Sequence, residues 1–446
     1  MKLSEFLQKH RLSEGDLVSV FTKSQSVLEG TIVPSNDERF LVLKLKNGYN
    51  AGVRIEEISS IKKIGEGKQV GKPPVQEVKK DSSKPTIAIL HTGGTIASRV
   101  DYNSGAVFTS FEPEDLITMF PELKQTANFE ARLVAQMWSE DMRFKHYELL
   151  AKEVEKEVKK PEIKGVIIGH GTDTLHYSAA ALAFMLENCP KPVILVGAQR
   201  SSDRGSSDSA MNLICAAEFI TNSDFQGIAV CMHENSSDNN CIILHPCKVR
   251  KLHSSRRDAF KPVNSQPIAR VNYSDGKIEV LTPWEKPKWP FIVKEKIDEK
   301  VALLKLHPNF NHEQLEFFIE KKYNGLVLEG TGLGQGPFEA PNELAKPNLK
   351  NFEALKKLIN QGCIVVMTSQ CIFGRVHMHV YSKAVMLQKA GVIPGEDMLS
   401  ETAFVKLAWL LGNYPKEKVK ELMVKNLRGE ITERTGYKEQ EIEFKD

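Results

Sequence analysis

Long hydrophobic runs are absent from this sequence. No segment of its 446 residues approaches the about 20 consecutive apolar residues that a membrane-spanning helix needs, so we expect no membrane partner. Residues 1–16, MKLSEFLQKHRLSEGD, lack the apolar centre and the small-residue cleavage site of a secretory signal. We therefore expect a cytoplasmic protein without a signal peptide.

An excess of charge of one sign is also missing. Lys and Arg total 60, Asp and Glu total 57, and the formal net charge is +3. This balance argues against a general nucleic-acid binder.

Cysteine is sparse and lacks the spacing of a metal site. The seven cysteines are scattered without a Cys-x-x-Cys pair, which favours reduced thiols in a cytosolic protein. Cys371 lies close in sequence to His377 and His379, but a His-x-His pair without a further close ligand is more often structural. We expect no metal site.

The first 84 residues differ in pattern from the rest of the chain. Four or five short strands separated by Ser, Asn, Asp and Gly turns predict a small all-β domain over residues 1–64, resembling an SH3-like or Sm-like barrel. The predicted strands are 16–21, 27–33, 40–45, 51–55 and 58–61. Residues 65–84, with several lysines and a Pro-Pro pair, predict an extended linker.

From residue 85 onward, apolar strands alternate with helical stretches. This pattern predicts an α/β fold with parallel sheets flanked by helices. The predicted strands are 85–90, 165–168, 192–196, 227–231, 301–305, 325–328 and 363–367, and the clearest helices are 144–159 and 175–188. A proline-rich stretch at 283–290 divides this region into two predicted domains, 85–282 and 283–446.

The first motif, LHTGGTIAS at 90–98, follows a predicted buried strand. Gly93 and Gly94 permit a tight turn with positive φ, and Thr92 and Thr95 then stand at the carboxyl end of a strand, where open α/β sheets bind ligands. One interpretation is a phosphate-binding turn, which is weak because neither Gly-Lys-Ser/Thr nor G-x-G-x-x-G is present. The other is that a threonine hydroxyl is itself the reagent.

The second motif, Gly169-His-Gly-Thr-Asp-Thr174, also follows a predicted strand. Thr172 or Asp173 could simply cap the following helix. The alternative is that both glycine turns face one crevice, where a threonine nucleophile would need a base such as lysine. The sequence contains many lysines, and spacing alone does not choose one.

The two motifs, in this order and at about this separation, resemble those of the bacterial-type L-asparaginase family. The resemblance runs from about residue 85 to 411 and includes SEDM at 139–142, KPVILVGAQR at 191–200 and VNYSDGKIE at 271–279. It implies a two-domain asparaginase-like fold, hydrolysis of a side-chain amide through an acyl-enzyme, and a homodimeric core.

The resemblance also implies roles for individual residues. Thr95 corresponds to the nucleophile, and Thr172, Asp173 and Lys251 correspond to the supporting triad. Tyr102 corresponds to a flexible-loop tyrosine that closes on the nucleophile.

The substrate contacts are also carried over from the family. Ser139 and Glu140 correspond to contacts with the substrate α-carboxylate and α-amine, and Asp173 also lies near the amine. Glu140 replaces the glutamine usual in stand-alone enzymes. The Gly94 turn is expected to help bind the substrate and to offer N–H groups to the oxyanion.

Several features depart from stand-alone asparaginases. They are the N-terminal extension, the basic segment RKLHSSRRD at 250–258, Leu333 where asparaginases tend to have a substrate-holding asparagine, and the tail NLRGEITER at 426–434. Together with NGYN at 47–50 and GRV at 374–376, they resemble the archaeal glutamyl-tRNA(Gln) amidotransferase D-subunit family.

That resemblance implies a division of labour between two proteins. In that family the D subunit hydrolyses the side-chain amide of glutamine or asparagine. An E subunit binds ATP, Mg²⁺ and Glu-tRNA(Gln) and makes Gln-tRNA(Gln), in a heterotetramer of two D and two E subunits. We expect no cofactor in the present chain.

Three functional hypotheses follow. The first is the glutaminase subunit of the amidotransferase, the second a stand-alone cytosolic L-asparaginase, and the third an inactive scaffold, which the five candidate reactive residues argue against. The basic segment is either a solvated face or, through Arg256 and Arg257, a link to the partner protein.

Overall fold

The computed structural model describes residues 2–35, 37–45, 50–66, 80–94, 122–200 and 206–434, and the backbone of 98–100 and 107–109. The N-terminal elements are α1 (Leu3–His10), β1 (Asp16–Thr22), β2 (Val27–Val33), β3 (Phe40–Leu45), β4 (Asn50–Arg54) and β5 (Ile58–Glu66). The following strands are β6 (Thr86–Gly93), β7 (Ser98–Val100), β8 (Val107–Thr109), β9 (Asn128–Met137), β10 (Ile163–Gly169), β11 (Leu186–Glu187), β12 (Pro192–Val196), β13 (Gly227–His233), β14 (Asn240–Leu244), β15 (Val249–Lys251), β16 (Phe260–Pro262), β17 (Ala269–Asn272), β18 (Ile278–Val280), β19 (Ile292–Val293), β20 (Val301–Lys305), β21 (Gly325–Gly330), β22 (Ile364–Ser369) and β23 (Ile393–Pro394). The following helices are α2 (Leu123–Thr126), α3 (Phe144–Val158), α4 (Leu175–Met185), α5 (Ser209–Asn222), α6 (Glu313–Glu320), α7 (Asn348–Asn360), α8 (Ser382–Lys389), α9 (Ser400–Asn413) and α10 (Lys416–Met423).

The N-terminal strands form an antiparallel sheet in the order β4-β3-β2-β1-β5. Their inward side chains, such as Val18, Ile32 and Leu43, are fully buried, and α1 adds Leu3 and Phe6 to the same core. The prediction of an all-β N-terminal region is therefore confirmed.

Strand β5 is longer than the sequence predicted. It pairs with β1 as far as Glu66, beyond the expected end at residue 61 and two residues into the predicted linker. Lys63 contributes an ion pair of 2.6 Å to the buried Asp16. A lysine-rich stretch can thus be an edge strand, because one face and one edge of such a strand meet water. Residues 67–79 of the predicted linker lie outside the described part of the chain.

The largest sheet has eight strands in the order β18-β17-β14-β13-β12-β10-β6-β9. Five neighbouring strands of this sheet, β13, β12, β10, β6 and β9, are mutually parallel, which confirms the α/β prediction. The other three pair antiparallel, whereas the sequence predicted a parallel sheet. Short connections, such as the six residues between β13 and β14, return the chain beside the strand it has just left, and only antiparallel pairing allows that.

The pairing of β6 with β10 positions the candidate site. Leu90 is in register with Ile168, and His91 with Gly169, so the two strands end side by side. The two glycine turns that follow them therefore emerge at the same edge of the sheet.

Helix α4 ends at Met185 and not near residue 188 as predicted. Leu186 and Glu187 leave the helix to pair with β19, and Asn188 takes a positive φ of 57°. Pairing with a strand that is distant in sequence thus ends the helix earlier than the local sequence predicts.

The second α/β unit contains the parallel sheet β20-β21-β22-β23. Helix α9 lies between this sheet and α4, and the Phe184 and Trp409 rings stack at 5.5 Å. Residues of α4, α9 and both large sheets share one hydrophobic core. The two α/β units are therefore packed through α9.

A buried ion pair anchors the end of the described chain to α9. Lys406 and Glu430 are both fully buried, with 2.6 Å between Nζ and Oε1. Lys406 also donates to the carbonyls of Met423 and Lys425, and the Glu430 carboxylate accepts the N–H of Leu427. Burial lowers the pKa of the Lys406 ammonium, and Glu430 opposes that shift.

We expect the substitution Glu430→Gln to destabilise the fold strongly, because it leaves the Lys406 ammonium buried without its carboxylate. The expected loss in the free energy of unfolding is about 3–5 kcal/mol, measured by denaturant titration. Glu421→Gln is the control, since Glu421 pairs with Lys418 and Lys425 at the surface, where such pairs contribute little. Equal effects of the two substitutions would contradict this account.

Candidate active site

Two glycine turns abut at the carboxyl ends of β6 and β10. Gly93 and Gly94 have φ values of 94° and 79°, which favour glycine. A Cβ on Gly94 would lie 2.4 Å from the Gly171 Cα, and a Cβ on Gly171 would lie 2.8 Å from the Ser139 Cβ. Glycine is therefore required by close backbone approach as well as by conformation.

Polar contacts hold the first turn in place. The Thr92 hydroxyl donates to the Gly169 carbonyl at 3.1 Å, and the Gly93 N–H donates to His91 Nδ1 at 3.1 Å. Thr92 is buried, so its hydroxyl ties β6 to β10 and does not face a ligand.

Lys251 meets the second turn. Its Nζ donates to the Thr172 hydroxyl at 2.9 Å and to the Asp173 carboxylate at 2.6 Å. The Lys251 side chain is only 10% exposed, whereas that of Asp173 is 60% exposed. The structure thus brings a lysine, a hydroxyl and a carboxylate together at the sheet edge.

The helix-cap interpretation of this turn is wrong. Helix α4 begins at Leu175 with Thr174 at its N-cap position. Thr172 and Asp173 bind Lys251, and the Thr174 hydroxyl donates to the Ser139 carbonyl at 2.6 Å. The capping position is therefore occupied by a residue that fastens the turn to another loop.

Ser139 lies against the same turns, at the start of a 3-10 turn, Ser139–Asp141, that follows β9. Its side chain is buried beside Gly171. Glu140 follows it and is exposed. Of the predicted site residues, the contacts join Gly94, Ser139, Thr172, Asp173 and Lys251 into one cluster.

Thr95 and Tyr102 lie outside the described residues. Gly94 is the last described residue before Thr95, and the roles of both residues stay predictions.

Two buried histidines at the turns escaped the sequence analysis. His170 Nδ1 lies 2.7 Å from the Gly171 carbonyl, and its Nε2 lies 2.8 Å from the Ser178 hydroxyl. Burial lowers the pKa of both His91 and His170 to about 4. A neutral ring with its proton on Nδ1 satisfies both His170 contacts. The signal was a histidine at the end of the strand in each motif, just before or within the glycine turn.

The basic segment is internally paired. Arg256 Nε lies 2.8 Å from Asp258, and Arg257 Nη1 lies 2.5 Å from Asp238. Their side chains are only 27% and 15% exposed, so the solvated-face interpretation is wrong. Arg257 joins this segment to the loop that contains Asp238, whereas Arg256 pairs within the segment. A role of the two arginines in partner coupling stays a prediction.

The cysteines, histidines and carboxylates elsewhere in the described part of the chain form no metal site. Within the described residues, no group of three or more His, Cys, Asp or Glu is arranged to hold a metal ion, and no helix there is long and apolar enough to cross a membrane. All seven cysteines are free thiols, and Cys371 is exposed while the others are buried.

We expect Gly94→Ala to destabilise the chain more than Gly227→Ala. Both glycines have positive φ, 79° and 113°, but a Cβ on Gly227 meets only Phe225 at 4.0 Å, whereas one on Gly94 collides with Gly171 backbone. The Gly227 variant therefore measures conformational strain alone, about 1 kcal/mol, and the Gly94 variant adds the collision. Denaturant unfolding of the two variants checks this, and equal losses would refute the close approach.

We expect the free energy of unfolding to fall as the pH drops from 6.5 toward 4. In this range His91 and His170 bind protons in the unfolded chain but stay neutral in the folded chain, where burial lowers their pKa to about 4. The stability that the neutral buried histidines contribute is fully present above pH 6.5 and is lost as the pH falls toward 4. His170→Gln removes one such group and should make the pH dependence shallower. Denaturant titrations across this range measure the slope, and an unchanged slope in the variant would argue against a neutral His170.

The chain matches three family models. Residues 12–64 match the GatD N-terminal domain, residues 86–286 match "Asparaginase, N-terminal", and residues 300–423 match the glutaminase/asparaginase C-terminal domain.

Solved structures with a similar fold include L-asparaginases. The thermostable L-asparaginase from Thermococcus kodakarensis superposes with a TM-score of 0.69 at 29% identity, covering 78% of this chain and 100% of that one. L-asparaginase I from Vibrio cholerae gives 0.66 at 28% identity, covering 78% and 99%. The predicted asparaginase-like fold is therefore confirmed.

Full-length relatives are more similar in sequence. The D subunit of the glutamyl-tRNA(Gln) amidotransferase of Pyrococcus furiosus is 44% identical over 97% of this chain and 98% of its own length. The D subunits from Thermococcus kodakarensis and Methanopyrus kandleri are 44% and 43% identical, covering 98% and 96% of this chain and 98% and 94% of their own lengths. Because this similarity extends over both the N-terminal sheet and the asparaginase-like region, the chain belongs to the family of glutamyl-tRNA(Gln) amidotransferase D subunits.

Proposed function

We propose that this chain is the glutaminase subunit of a glutamyl-tRNA(Gln) amidotransferase. It releases ammonia from the side-chain amide of glutamine, and an E subunit uses that ammonia and ATP to convert Glu-tRNA(Gln) into Gln-tRNA(Gln). The relatives' names support the overall reaction. The observation that carries the amidase assignment is the contact of Lys251 with Thr172 and Asp173 beside the two glycine turns.

The proposed chemistry has two steps. The Thr95 hydroxyl attacks the amide carbon, a C–O bond forms, the C–N bond breaks, and the leaving nitrogen takes a proton and departs as ammonia. Water then attacks the ester, which yields glutamate and restores the hydroxyl. Splitting the reaction in this way replaces one difficult step with two easier ones.

Lys251 and Thr172 supply the proton transfers. The Lys251 side chain accepts the proton through the Thr172 hydroxyl, to which its Nζ is hydrogen-bonded at 2.9 Å. Asp173, at 2.6 Å, stabilises the ammonium that results. Because the Lys251 side chain is mostly buried, water competes little for these contacts.

The turns and the neighbouring loop bind the substrate. Backbone N–H groups of the glycine turns are well suited to stabilise the oxyanion, since the Gly94 and Gly171 backbones carry no side chain that would shield them. Ser139 is assigned to the substrate α-carboxylate, and the exposed Asp173 carboxylate and Glu140 to its α-ammonium.

The remaining parts of the reaction belong to the complex. We assign ATP and Mg²⁺ to the E subunit, with no cofactor in this chain, and a cytoplasmic heterotetramer of two D and two E subunits. Glutamine is the proposed amide donor, with asparagine as the alternative.

Ammonia release from glutamine tests the proposal. We expect the chain with its E subunit, Glu-tRNA(Gln) and ATP to release ammonia much faster than the chain alone. Thr95→Ala should abolish the reaction, and Thr172→Val and Lys251→Met should each slow it by about 10²–10⁴-fold through the lost proton transfer.

Matched controls separate these effects from general damage. Thr282→Val removes a surface hydroxyl that donates to Pro267, and Lys356→Met removes a lysine paired with Glu353 on α7. Both should retain full activity. Strong activity of the chain alone, with asparagine preferred and no response to the E subunit, would instead establish a stand-alone asparaginase like the structural neighbours.

A further inference from the structure

Lys251 lies on a strand that belongs to neither large sheet. Strand β15 is three residues long and pairs with β16, with Lys251 opposite Phe260. A short two-stranded hairpin is marginally stable by itself. The position of the lysine amine must therefore be fixed by contacts outside the hairpin.

Such contacts come from the residues just before and within the first turn of α9. We call residues 397–402 the α9 clamp. Three contacts join it to the chain that leads into Lys251: Thr402 Oγ1 donates to the Cys247 carbonyl at 3.0 Å, Lys248 Nζ lies 2.6 Å from Asp397 Oδ2, and Arg250 Nη2 lies 2.8 Å from Glu401 Oε1. The clamp thus contacts three of the four residues that precede Lys251.

The Lys248–Asp397 pair is fully buried. The two side chains are 1% and 0% exposed, and Lys248 Nζ also lies 3.3 Å from the Asp397 carbonyl. Burial lowers the pKa of the Lys248 ammonium, and Asp397 opposes that shift. Desolvated charges tolerate little displacement, because any loosening leaves a charge unpaired in a medium of low dielectric constant. This pair therefore fixes the position of the segment more tightly than a surface pair would.

The Glu401 carboxylate lies in an environment that disfavours its charged form. Its side chain is 6% exposed, and its Oε2 has no hydrogen-bond partner among the residues that the structure describes. Burial raises the pKa of Glu401, and the Arg250 guanidinium opposes that shift. A carboxylate with one unsatisfied oxygen adds little to stability, so its pairing with the residue next to Lys251 needs another explanation.

The tail at residues 426–434 also contacts the α9 clamp, through Thr432 and Asp397. The Thr432 N–H donates to Asp397 Oδ1 at 3.0 Å and the Thr432 hydroxyl to Asp397 Oδ2 at 2.5 Å. Arg375 donates to the Thr432 carbonyl at 2.5 Å. With the Lys406–Glu430 pair, the tail is fastened to α9 and to the residues just before it.

We propose that Glu401 and Asp397 are positioning residues that hold Lys251 against Thr172, and that Thr432 of the tail locks this clamp. The inference rests on the proposed function, because it takes Lys251 as the group that transfers the proton. Helix α9 also packs on α4, which begins directly after the turn containing Asp173. One helix therefore sets the positions of both partners of the lysine contact.

The expected signature is a change in kcat without a change in KM. The proposed substrate contacts of Ser139, Gly94 and Asp173 come from other elements, since Asp173 stands on the turn after β10. Glu401 and Arg250, in contrast, act on the strand that carries Lys251. A small displacement of that strand therefore impairs the chemical step. Glu401→Gln and Arg250→Met should each lower kcat for ammonia release by about 10–100-fold. A variant with both substitutions should be no slower than the slower of the two single variants, because each of the three variants loses the same Arg250–Glu401 ion pair.

A matched control removes an equivalent ion pair elsewhere. Glu157 on α3 has a side chain that is also 6% exposed and lies 3.0 Å from Arg132. Glu157→Gln should leave kcat unchanged in the same complex with the E subunit, Glu-tRNA(Gln) and ATP. Additive losses for Glu401 and Arg250, or an equal loss for Glu157→Gln, would overturn the positioning role.

The tail gives a second test that does not depend on folding of the Glu401 variant. Thr432→Val removes the hydroxyl bond to Asp397 and keeps the backbone bond, and it should lower kcat with KM unchanged. Thr432→Ser restores the hydroxyl and should restore kcat. Unchanged kcat in Thr432→Val, or a loss that serine does not restore, would overturn the role of the tail.

The two proposals fail differently. If the wild-type complex releases no ammonia, the proposed function is wrong. If it is active but Lys251→Met matches it, the proton-transfer role of Lys251 is wrong, and the positioning inference that depends on that role is wrong with it. If the wild type is active, Lys251→Met is slow and Glu401→Gln equals the wild type, only the positioning inference is wrong.

Discussion

The parallel pairing of β6 with β10 is the constraint from which the site follows. Because Leu90 and Ile168 are in register, both strands end at one edge and their glycine turns must occupy the same space. The only solution is backbone against backbone, with Gly94 directly over Gly171. This contact lies at the end of a parallel sheet, where open α/β folds bind ligands.

A second constraint is the charge buried around α9. Lys248, Asp397, Lys406 and Glu430 are all almost fully buried and form two ion pairs, one just before the helix and one within it. Such pairs are not an efficient source of stability compared with hydrophobic residues of the same volume. They do impose a single geometry, which suits a helix packed between two sheets and next to a candidate proton-transfer residue.

Local patterns gave good predictions where the local sequence is decisive. The strands at Pro192–Val196 and Val301–Lys305 lie where the apolar runs indicated, because these runs pack into the core and are bounded by turn residues. The predictions were wrong where a distant partner intervened. Strand β5 extends into a lysine-rich stretch through its pairing with β1, and α4 ends early through the pairing of Leu186 with β19.

The sequence by itself determined the strand-glycine-turn units, the all-β N-terminal region and the family resemblance, since each depends on residues adjacent in the chain. Residue spacing alone favours no lysine over another, so the sequence named Lys251 only through the family resemblance; the tertiary structure supplied the contact itself, between residues 78 positions apart. It also decided that Arg257 pairs with Asp238, 19 residues away, because the two side chains meet only in the folded loops. Hydrogen bonds and ion pairs act over a few ångströms, and contacts between distant residues exist only once the core has formed.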